Sequence, residues 1–183
     1  MTLTQTERDT LNFVSAQLGI PPEWLEDLIY AESGFDPQAK NPGSSARGLI
    51  QFIDSTAQEL GFQNSLDLVT KYPTITTQLR TPVYEYLKRY MPFETKQSLY
   101  LAVFYPAARY KPPEWVFPAN VQKANAAAGI DTVQSYMNFV DTQAEKKNPN
   151  RKGETVENSF RKLLIISGIS AIAYLILKKS FLK

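Results

Sequence analysis

The groups that can do acid–base chemistry in this chain are carboxylates, tyrosines and lysines. Its 183 residues include neither histidine nor cysteine. This composition excludes Ser-His-Asp triads, thiol nucleophiles, disulfides and zinc sites built from those side chains. The sequence predicts no metal and no other cofactor, so a carboxylate in an unusual environment is the first candidate for a catalytic group.

Glu32 is the carboxylate with such a predicted environment. When the predicted helix that contains it is projected at about 100° per residue, Glu32 falls between Leu28 and Ile29 on the apolar stripe. Burial on this face and the negative end of the helix dipole would both raise the pKa of the carboxyl, as a general acid requires. The alternative is that the side chain bends around the helix end and is solvated.

Glu32 also begins a run of residues with distinctive types and spacing. The sequence reads ESGFDPQA at 32–39, GLIQF at 48–52 and STA at 55–57. This run resembles the SLT-type lytic transglycosylases, which have a lysozyme-like fold and carry their catalytic Glu in an ES-x-F-x-P-x-A segment followed by a G-L-x-Q segment. The resemblance covers residues 5–142 and does not extend to the remainder of the chain.

The resemblance implies that Glu32 cleaves the β-1,4 bond between N-acetylmuramic acid and N-acetylglucosamine in peptidoglycan. One carboxyl is then sufficient, because the muramoyl 6-hydroxyl attacks its own C1 and gives a 1,6-anhydro sugar. This intramolecular attack replaces the bound water and the second carboxylate of a hydrolase. Ser33, Gln51 and Phe52 are the implied substrate-binding neighbours. Ser33 would bind the acetamido group or orient Glu32, and for Gln51 a structural bond to the loop backbone is the alternative.

Two further segments match the family pattern less closely. The third motif corresponds to LAVFYPAA at 101–108, where Tyr105 is retained, Pro106 stands in place of the usual Asn and Ala108 in place of the usual Gly. By resemblance, Tyr105 is expected to bind Glu32 or the sugar at the cleavage site, with simple core packing as the alternative. Tyr136, in the last predicted helix, is the second expected substrate-binding tyrosine. The altered third motif indicates a divergent, phage-like branch of the family.

The aromatic and proline-rich stretch at 110–118 allows two interpretations. Its flat rings would suit a glycan groove, because they cover the apolar faces of sugars at a low cost in entropy. A rigid surface loop is the other interpretation.

Helical signals dominate the part of the chain that must position these residues. The predicted fold class is mostly α, a lysozyme-like helical domain. Helix starts follow from capping boxes, caps and prolines, and helix ends from glycines. The predicted starts are Thr4 with Glu7, Pro21-Pro22, Ser55 with Gln58, Thr81 before Pro82, and Asp131 before Val133; Gly19 and Gly34 are predicted to end the first two helices.

The C-terminal part of the chain differs in composition from the rest. Residues 145–183 carry 9 Lys/Arg against 3 Asp/Glu, whereas residues 1–144 carry 11 against 15, so the globular part is not predicted to bind nucleic acid. The uncharged run at 163–177 has two basic residues on each side and predicts a membrane helix, with a buried core helix as the alternative. The predicted division is an SLT domain at 1–142, a polar linker at 143–160 and a membrane anchor at 161–183.

The sequence therefore predicts a membrane-anchored peptidoglycan lytic transglycosylase. Its expected partners are peptidoglycan glycan strands, a lipid membrane and other virion membrane or capsid proteins. No export signal is recognised near the N-terminus, and together with the phage-like motif this predicts a bacteriophage enzyme in an internal virion membrane, or otherwise in the host cell membrane.

Two alternatives to this function stay open. One is a hydrolase of the goose-lysozyme type, in which Asp36 or Asp54 would hold a water near C1. The other is a non-catalytic virion membrane protein that retains the fold only for binding or assembly.

Overall fold

A computed structural model describes residues 3–147 of the chain. This part is mostly helical, as predicted, and its strand pairing consists of isolated bridges. The α-helices are α1 (Gln5–Leu18), α2 (Pro22–Ser33), α3 (Asp54–Glu59), α4 (Ser65–Lys71), α5 (Ile75–Gln78), α6 (Tyr84–Leu87), α7 (Lys96–Phe104), α8 (Ala119–Ala124) and α9 (Val133–Lys147).

The first two helices begin and end where the sequence predicts. Thr4 and Glu7 form the reciprocal capping box of α1, and Gly19 ends that helix with a positive φ of 67°. Pro22 occupies the first turn of α2, where its missing N–H has no intrahelical role. Gly34 ends α2 with a φ of 61°, a conformation that costs glycine little because it lacks a Cβ.

Helix α2 is the central element of the domain. It packs against α1, α7 and α9. Leu25, Leu28 and Ile29 are fully buried on its inner face, so the apolar stripe on which the projection placed Glu32 does face the protein interior.

Lys96 on α7 forms ion pairs with one residue of α2 and one of α9. Its Nζ lies 3.7 Å from Oδ2 of Asp27 on α2, whose side chain is 1% exposed, and it also pairs with Asp141 on α9. The same ammonium lies 5.2 Å from the ring centroid of Tyr100. A buried carboxylate needs such a partner to remain charged.

The predicted helix start at Thr81 is wrong. The helical run begins earlier, at α5, where Thr74 and Thr77 form a capping box. It continues without a break through a π-helical turn, Leu79–Val83, which contains Pro82. Proline disrupts an α-helix because it has no N–H and its ring collides with the preceding turn, and the wider π turn accommodates it.

Two other predicted starts are shifted. The cap of α3 is Ile53, two residues before the expected Ser55, and the helix begins at Asp54. At α9 the cap is Thr132, whose Oγ1 accepts a 3.2 Å hydrogen bond from the Ser135 amide, and not Asp131.

Helix α9 continues to Lys147 and buries Ala144 on the way, whereas the predicted end of the domain is 142. The described residues belong to one structural unit. No helix among them is both long enough and apolar enough to cross a membrane. The predicted anchor at 161–183 and most of the predicted linker lie outside the described residues.

Candidate active site

Glu32 lies in the last turn of α2, at one side of a cleft of about 590 Å³. The cleft is within the range of about 300–1,000 Å³ that is usual for ligand sites. It is bounded by the end of α2, the loop that follows it, α3, the 86–90 turn, the end of α7 and the end of α8. The lining residues include Glu32, Asn41, Ser44, Gln51, Phe52, Thr56, Glu59, Tyr86, Tyr90, Val103, Phe104, Pro106 and Asn125.

The Glu32 carboxyl has the perturbed pKa that the sequence predicts. The residue as a whole is half-buried because it opens onto the cleft, but its carboxyl group is enclosed by protein. This burial raises its pKa from 4.5 to about 7, against a smaller lowering by the hydrogen bond from Tyr136. A carboxyl with this pKa holds its proton in mildly acidic solution and can exchange it near neutral pH, as a general acid and base must.

Tyr136 is brought to Glu32 by the packing of α9 on α2. Its hydroxyl lies 3.3 Å from Glu32 Oε1 and 3.3 Å from the carbonyl oxygen of Tyr100, so one hydroxyl hydrogen is shared between two acceptors. Burial, with the Glu32 carboxylate as a lesser cause, raises the pKa of Tyr136 well above its ordinary value. Tyr136 therefore acts on Glu32 as a neutral donor.

Ser33 connects the end of α2 to the loop that carries Gln51. Its Oγ donates to the carbonyl of Ile29 at 3.1 Å and to the carbonyl of Leu49 at 3.0 Å. These contacts fit the orienting role for Ser33, because they tie the residue next to Glu32 to the loop that carries Gln51. Direct binding of substrate by Ser33 stays a prediction.

Gln51 and Phe52 both line the cleft, as expected from the motif. Gln51 Nε2 donates to the carbonyl of Gly48 at 3.0 Å, which is the structural bond considered as its alternative role. The backbone of Gln51 has a φ of 53°, a costly conformation for a residue other than glycine, and such conformations are frequent at functional sites. Phe52 is buried except where it contributes to the cleft lining.

Tyr105 lies outside the lining of the cleft, although it was expected at the cleavage site. Helix α7 ends at Phe104, and the backbone of Tyr105 turns away with a φ of −154° and a ψ of 87°. Consecutive side chains then point in different directions: Tyr105 packs against Trp115 and Phe117, outside the cleft lining. No hydrogen bond between Tyr105 and Glu32 is formed within residues 3–147.

Phe104, the residue before Tyr105, belongs to the cleft, and the sequence analysis missed it. It lines the cleft and stacks on the ring of Tyr136 at 4.2 Å between centroids with an interplanar angle of 15°. The apolar spacing of α7 is equally compatible with Phe104 or Tyr105 lining the cleft. Which of the two side chains does so depends on the residue at which the helix ends.

The 110–118 stretch is a fixed loop at the start of α9. The amide of Phe117 bonds the carbonyl of Asp131, the amide of Val133 bonds the carbonyl of Trp115, and the amide of Gln134 bonds the carbonyl of Pro113. None of residues 110–118 lines the cleft. These contacts favour the rigid surface loop over the glycan groove.

Gln78 holds the Gly48–Gln51 loop and was not singled out in the sequence. It is fully buried on α5. Its Oε1 accepts from the Leu49 amide at 2.9 Å, and its Nε2 donates to the carbonyls of Pro37 at 2.6 Å and Tyr72 at 2.9 Å. Gln78 is three positions after buried Ile75 and therefore on the inner side of its helix. The helical projection applied to Glu32 would have detected this polar residue on an apolar face.

The two aspartates considered for a hydrolase lie outside the cleft lining. Asp36 is exposed and accepts a hydrogen bond from the amide of Gln38. Asp54 accepts from the amide and hydroxyl of Ser65, and these bonds lower its pKa. The second carboxylate that does line the cleft is Glu59, which no sequence signal indicated. Within the described residues, no three acidic side chains converge to hold a metal.

The geometry is that of a polar and aromatic cleft with one enclosed carboxyl at its side. The family model of the transglycosylase SLT domain matches residues 9–84. This match confirms the resemblance to SLT-type lytic transglycosylases that the motifs indicate. No curated protein matches the chain. The matched range includes Glu32, Ser33, Gln51 and Phe52 but not Tyr105 or Tyr136.

Proposed function

We propose that this protein cleaves the β-1,4 bond between N-acetylmuramic acid and N-acetylglucosamine with Glu32 as its acid and base. The observation that carries the proposal is the enclosed Glu32 carboxyl, with its pKa of about 7, at the side of a cleft. Peptidoglycan as the substrate follows from the SLT domain.

The reaction needs one proton and one carboxyl. Glu32 gives its proton to the glycosidic oxygen as the bond from C1 of the muramoyl residue breaks. The muramoyl 6-hydroxyl then forms a bond to C1, and its proton returns to Glu32. The products are a 1,6-anhydromuramoyl end and a free N-acetylglucosamine hydroxyl, and the enzyme is regenerated without water.

Tyr136 supports the first half of this cycle. Its neutral hydroxyl stabilises the carboxylate that remains after the first proton transfer. Because the effect of burial is larger, the carboxylate remains basic enough to take the proton from the 6-hydroxyl.

The test is digestion of purified peptidoglycan sacculi, with the products weighed by mass spectrometry. The wild-type protein is expected to release anhydro ends. Glu32→Gln is expected to lower the rate by a factor of about 10² to 10⁴, the usual contribution of general acid–base catalysis, while Glu114→Gln, at an exposed position outside the cleft lining, is the matched control. A Glu32→Gln rate above about a tenth of wild type would contradict the assignment.

A hydrolase is the second candidate, and Glu59 is the observation that favours it. Glu59 is a second carboxylate lining the same cleft, and hydrolysis usually needs two. Products that are heavier by one water, with reducing ends, would identify this reaction. Loss of those products in Glu59→Gln would assign the second role.

We also propose that residues 161–183 anchor the enzyme in a membrane, as part of a phage particle that breaches the host wall. The support is the uncharged run with basic residues at both ends and the altered third motif. The full chain should float with lipid vesicles in a density gradient, and a chain ending at Lys147 should remain in the aqueous fraction and keep its activity. Equal flotation of both would contradict the anchor, and absence of the protein from purified virions would contradict the phage role.

A further inference from the structure

One side of helix α7 contacts α9 at three successive turns. Lys96, Tyr100 and Phe104 follow one another at intervals of four residues, so they share a face of the helix. Lys96 pairs with Asp141 of α9. The Tyr100 carbonyl accepts a hydrogen bond from the Tyr136 hydroxyl, and Phe104 stacks on the Tyr136 ring. This face of α7 therefore extends from an ion pair to the tyrosine that donates to the proposed acid.

Lys96 occupies a position that does not favour its own helix. It is the first residue of α7, directly after the Thr95 cap, where the positive end of the helix dipole disfavours a cation. Its Nζ lies 3.7 Å from Asp27 Oδ2 of α2 and pairs with Asp141 of α9. Lys96 does not line the cleft. Its contacts therefore stabilise the arrangement of α2, α7 and α9 and not the start of α7.

These ion pairs join α2 and α9 close to the contact between Glu32 and Tyr136. Asp27 precedes Glu32 by five residues on α2, and Asp141 follows Tyr136 by five residues on α9. Five residues correspond to about 7.5 Å along a helix axis. The two helices are therefore connected at two neighbouring points, one through Lys96 and one through the Tyr136 hydroxyl.

The hydrogen bond between Tyr136 and Glu32 is sensitive to the distance between these helices. Its length of 3.3 Å is greater than the usual range of about 2.5–3.0 Å for a hydroxyl donor and an oxygen acceptor. The Tyr136 hydroxyl is equally close to the carbonyl of Tyr100 on α7. A small movement of α9 away from α2 would therefore leave the hydroxyl hydrogen with Tyr100 alone.

Other charged and titratable side chains around Glu32 come from different elements. They include Arg8, which pairs with Glu26 of α2, and Glu59, Tyr86 and Tyr90 of the cleft lining. These side chains belong to α1, α3 and the 86–90 turn, so they do not connect α2 to α9.

We infer that Lys96 is a positioning residue for Glu32: by joining α2 to α9, it keeps the Tyr136 hydroxyl in contact with the acid. The inference rests on the proposed function and adds to it a residue that lies outside the cleft lining. Lys96 acts through Tyr136 and does not touch the substrate.

The experiment measures the pKa of Glu32 in the full chain in detergent, from the pH dependence of the ¹³C signal of its side-chain carboxyl. The signal is identified by its loss in Glu32→Gln. Tyr136→Phe removes the hydrogen bond that lowers this pKa and should raise it. Lys96→Met should raise it by a similar amount, because the same hydrogen bond is lost when α9 moves. Combining the two substitutions should give no further rise.

Asp141→Asn separates the effect of position from the effect of charge. Loss of the Lys96 ammonium would by itself raise the pKa of a nearby carboxyl, whereas loss of the Asp141 carboxylate would by itself lower it. Both substitutions break the connection to α9, so both should raise the pKa of Glu32. The Asp141 side chain is 53% exposed, and its substitution leaves the pair between Lys96 and Asp27 in place. Asp141→Asn therefore carries the test if Lys96→Met does not fold.

Lys71→Met is the matched control. Lys71 also pairs with an aspartate, Asp67, and its Nζ lies 5.5 Å from the ring centroid of Phe62, but it belongs to α4. Its substitution should leave the Glu32 pKa unchanged, and so should Lys96→Arg, which keeps the charge. On soluble glycan strands, Lys96→Met should lower kcat about tenfold, as for loss of one hydrogen bond to a charged group, and leave KM unchanged.

The contrary results are equally definite. An unchanged or lowered Glu32 pKa in Asp141→Asn, or an unchanged one in Lys96→Met, would overturn the inference. A further rise when Tyr136→Phe is added to Lys96→Met would also overturn it, because independent effects add. If the wild-type chain released no anhydro product, the proposed function would fail, while the pKa measurements would still test the connection through Lys96 because they need no activity.

Discussion

Glu32→Gln is expected to stabilise the folded domain at neutral and alkaline pH. Glu32 has a pKa of about 7 in the folded protein against an ordinary value of 4.5. The native state therefore binds this proton more tightly than the unfolded chain does, and the free energy of unfolding falls as the pH rises between those two values. Glutamine keeps the shape and the acceptor for Tyr136 but never acquires the buried charge.

The magnitude follows from the two pKa values. Each pH unit between them is equivalent to about 1.4 kcal/mol. The destabilisation by Glu32 is therefore about 1 kcal/mol at pH 5 and about 3 kcal/mol at pH 8, where it levels off. For a chain of this size, about 1 kcal/mol changes the melting temperature by about 2–4 °C, so the advantage of Glu32→Gln should grow by about 4–8 °C between pH 5 and pH 8.

The assay is thermal unfolding of wild type and Glu32→Gln at several pH values from 5 to 8, followed by circular dichroism. Glu114→Gln is the control for the same chemical change at an exposed site, and its difference from wild type should not vary with pH. If the Glu32→Gln difference is also constant between pH 5 and pH 8, the carboxyl is solvated and the burial argument fails.

Two further perturbations test the surroundings of Glu32. Tyr136→Phe removes the hydrogen bond that lowers the Glu32 pKa. The alkaline limb of the pH–rate profile should therefore move to higher pH, and the maximal rate should fall. If the limb does not move, the 3.3 Å contact between Tyr136 and Glu32 is not maintained in solution. Gln78→Leu leaves buried partners in the Gly48–Gln51 loop and its neighbours without hydrogen bonds, at about 1–3 kcal/mol for each such group, and should lower the urea midpoint strongly. The exposed Gln38→Leu is its control, and equal losses in both variants would refute the importance of burial at Gln78.

The part of the site that the sequence could predict is the part set by local spacing. Glu32 was found because a helical period of 3.6 residues places it beside Leu28 and Ile29, and both prove fully buried. The caps of α1 and α2 depend on residues three or four positions apart, so they could be predicted for the same reason. Residues this close together in the sequence are sufficient to predict where a helix begins and ends.

The part that the sequence could not predict depends on where elements end and how they cross. Choosing between Phe104 and Tyr105 requires knowing the last residue of α7, and helix ends are the least certain feature of any helical pattern. Glu59 enters the cleft only because α3 lies across from Tyr86 and Tyr90, which are more than 25 residues away in the chain. The residue pattern within α3 does not predict that Glu59 lines the cleft, because this depends on how elements distant in the sequence pack together.

The ring that stacks on Tyr136 also bears on the acid itself. Phe104 packs on Tyr136 with a side chain that carries no hydroxyl. Among the described residues, the side-chain hydrogen bond that lowers the pKa of Glu32 comes from Tyr136, whose hydroxyl is also shared with the Tyr100 carbonyl. Burial therefore raises the pKa of Glu32 by more than this hydrogen bond lowers it, and the pKa is about 7. At that value one carboxyl can both give and recover a proton near neutral pH.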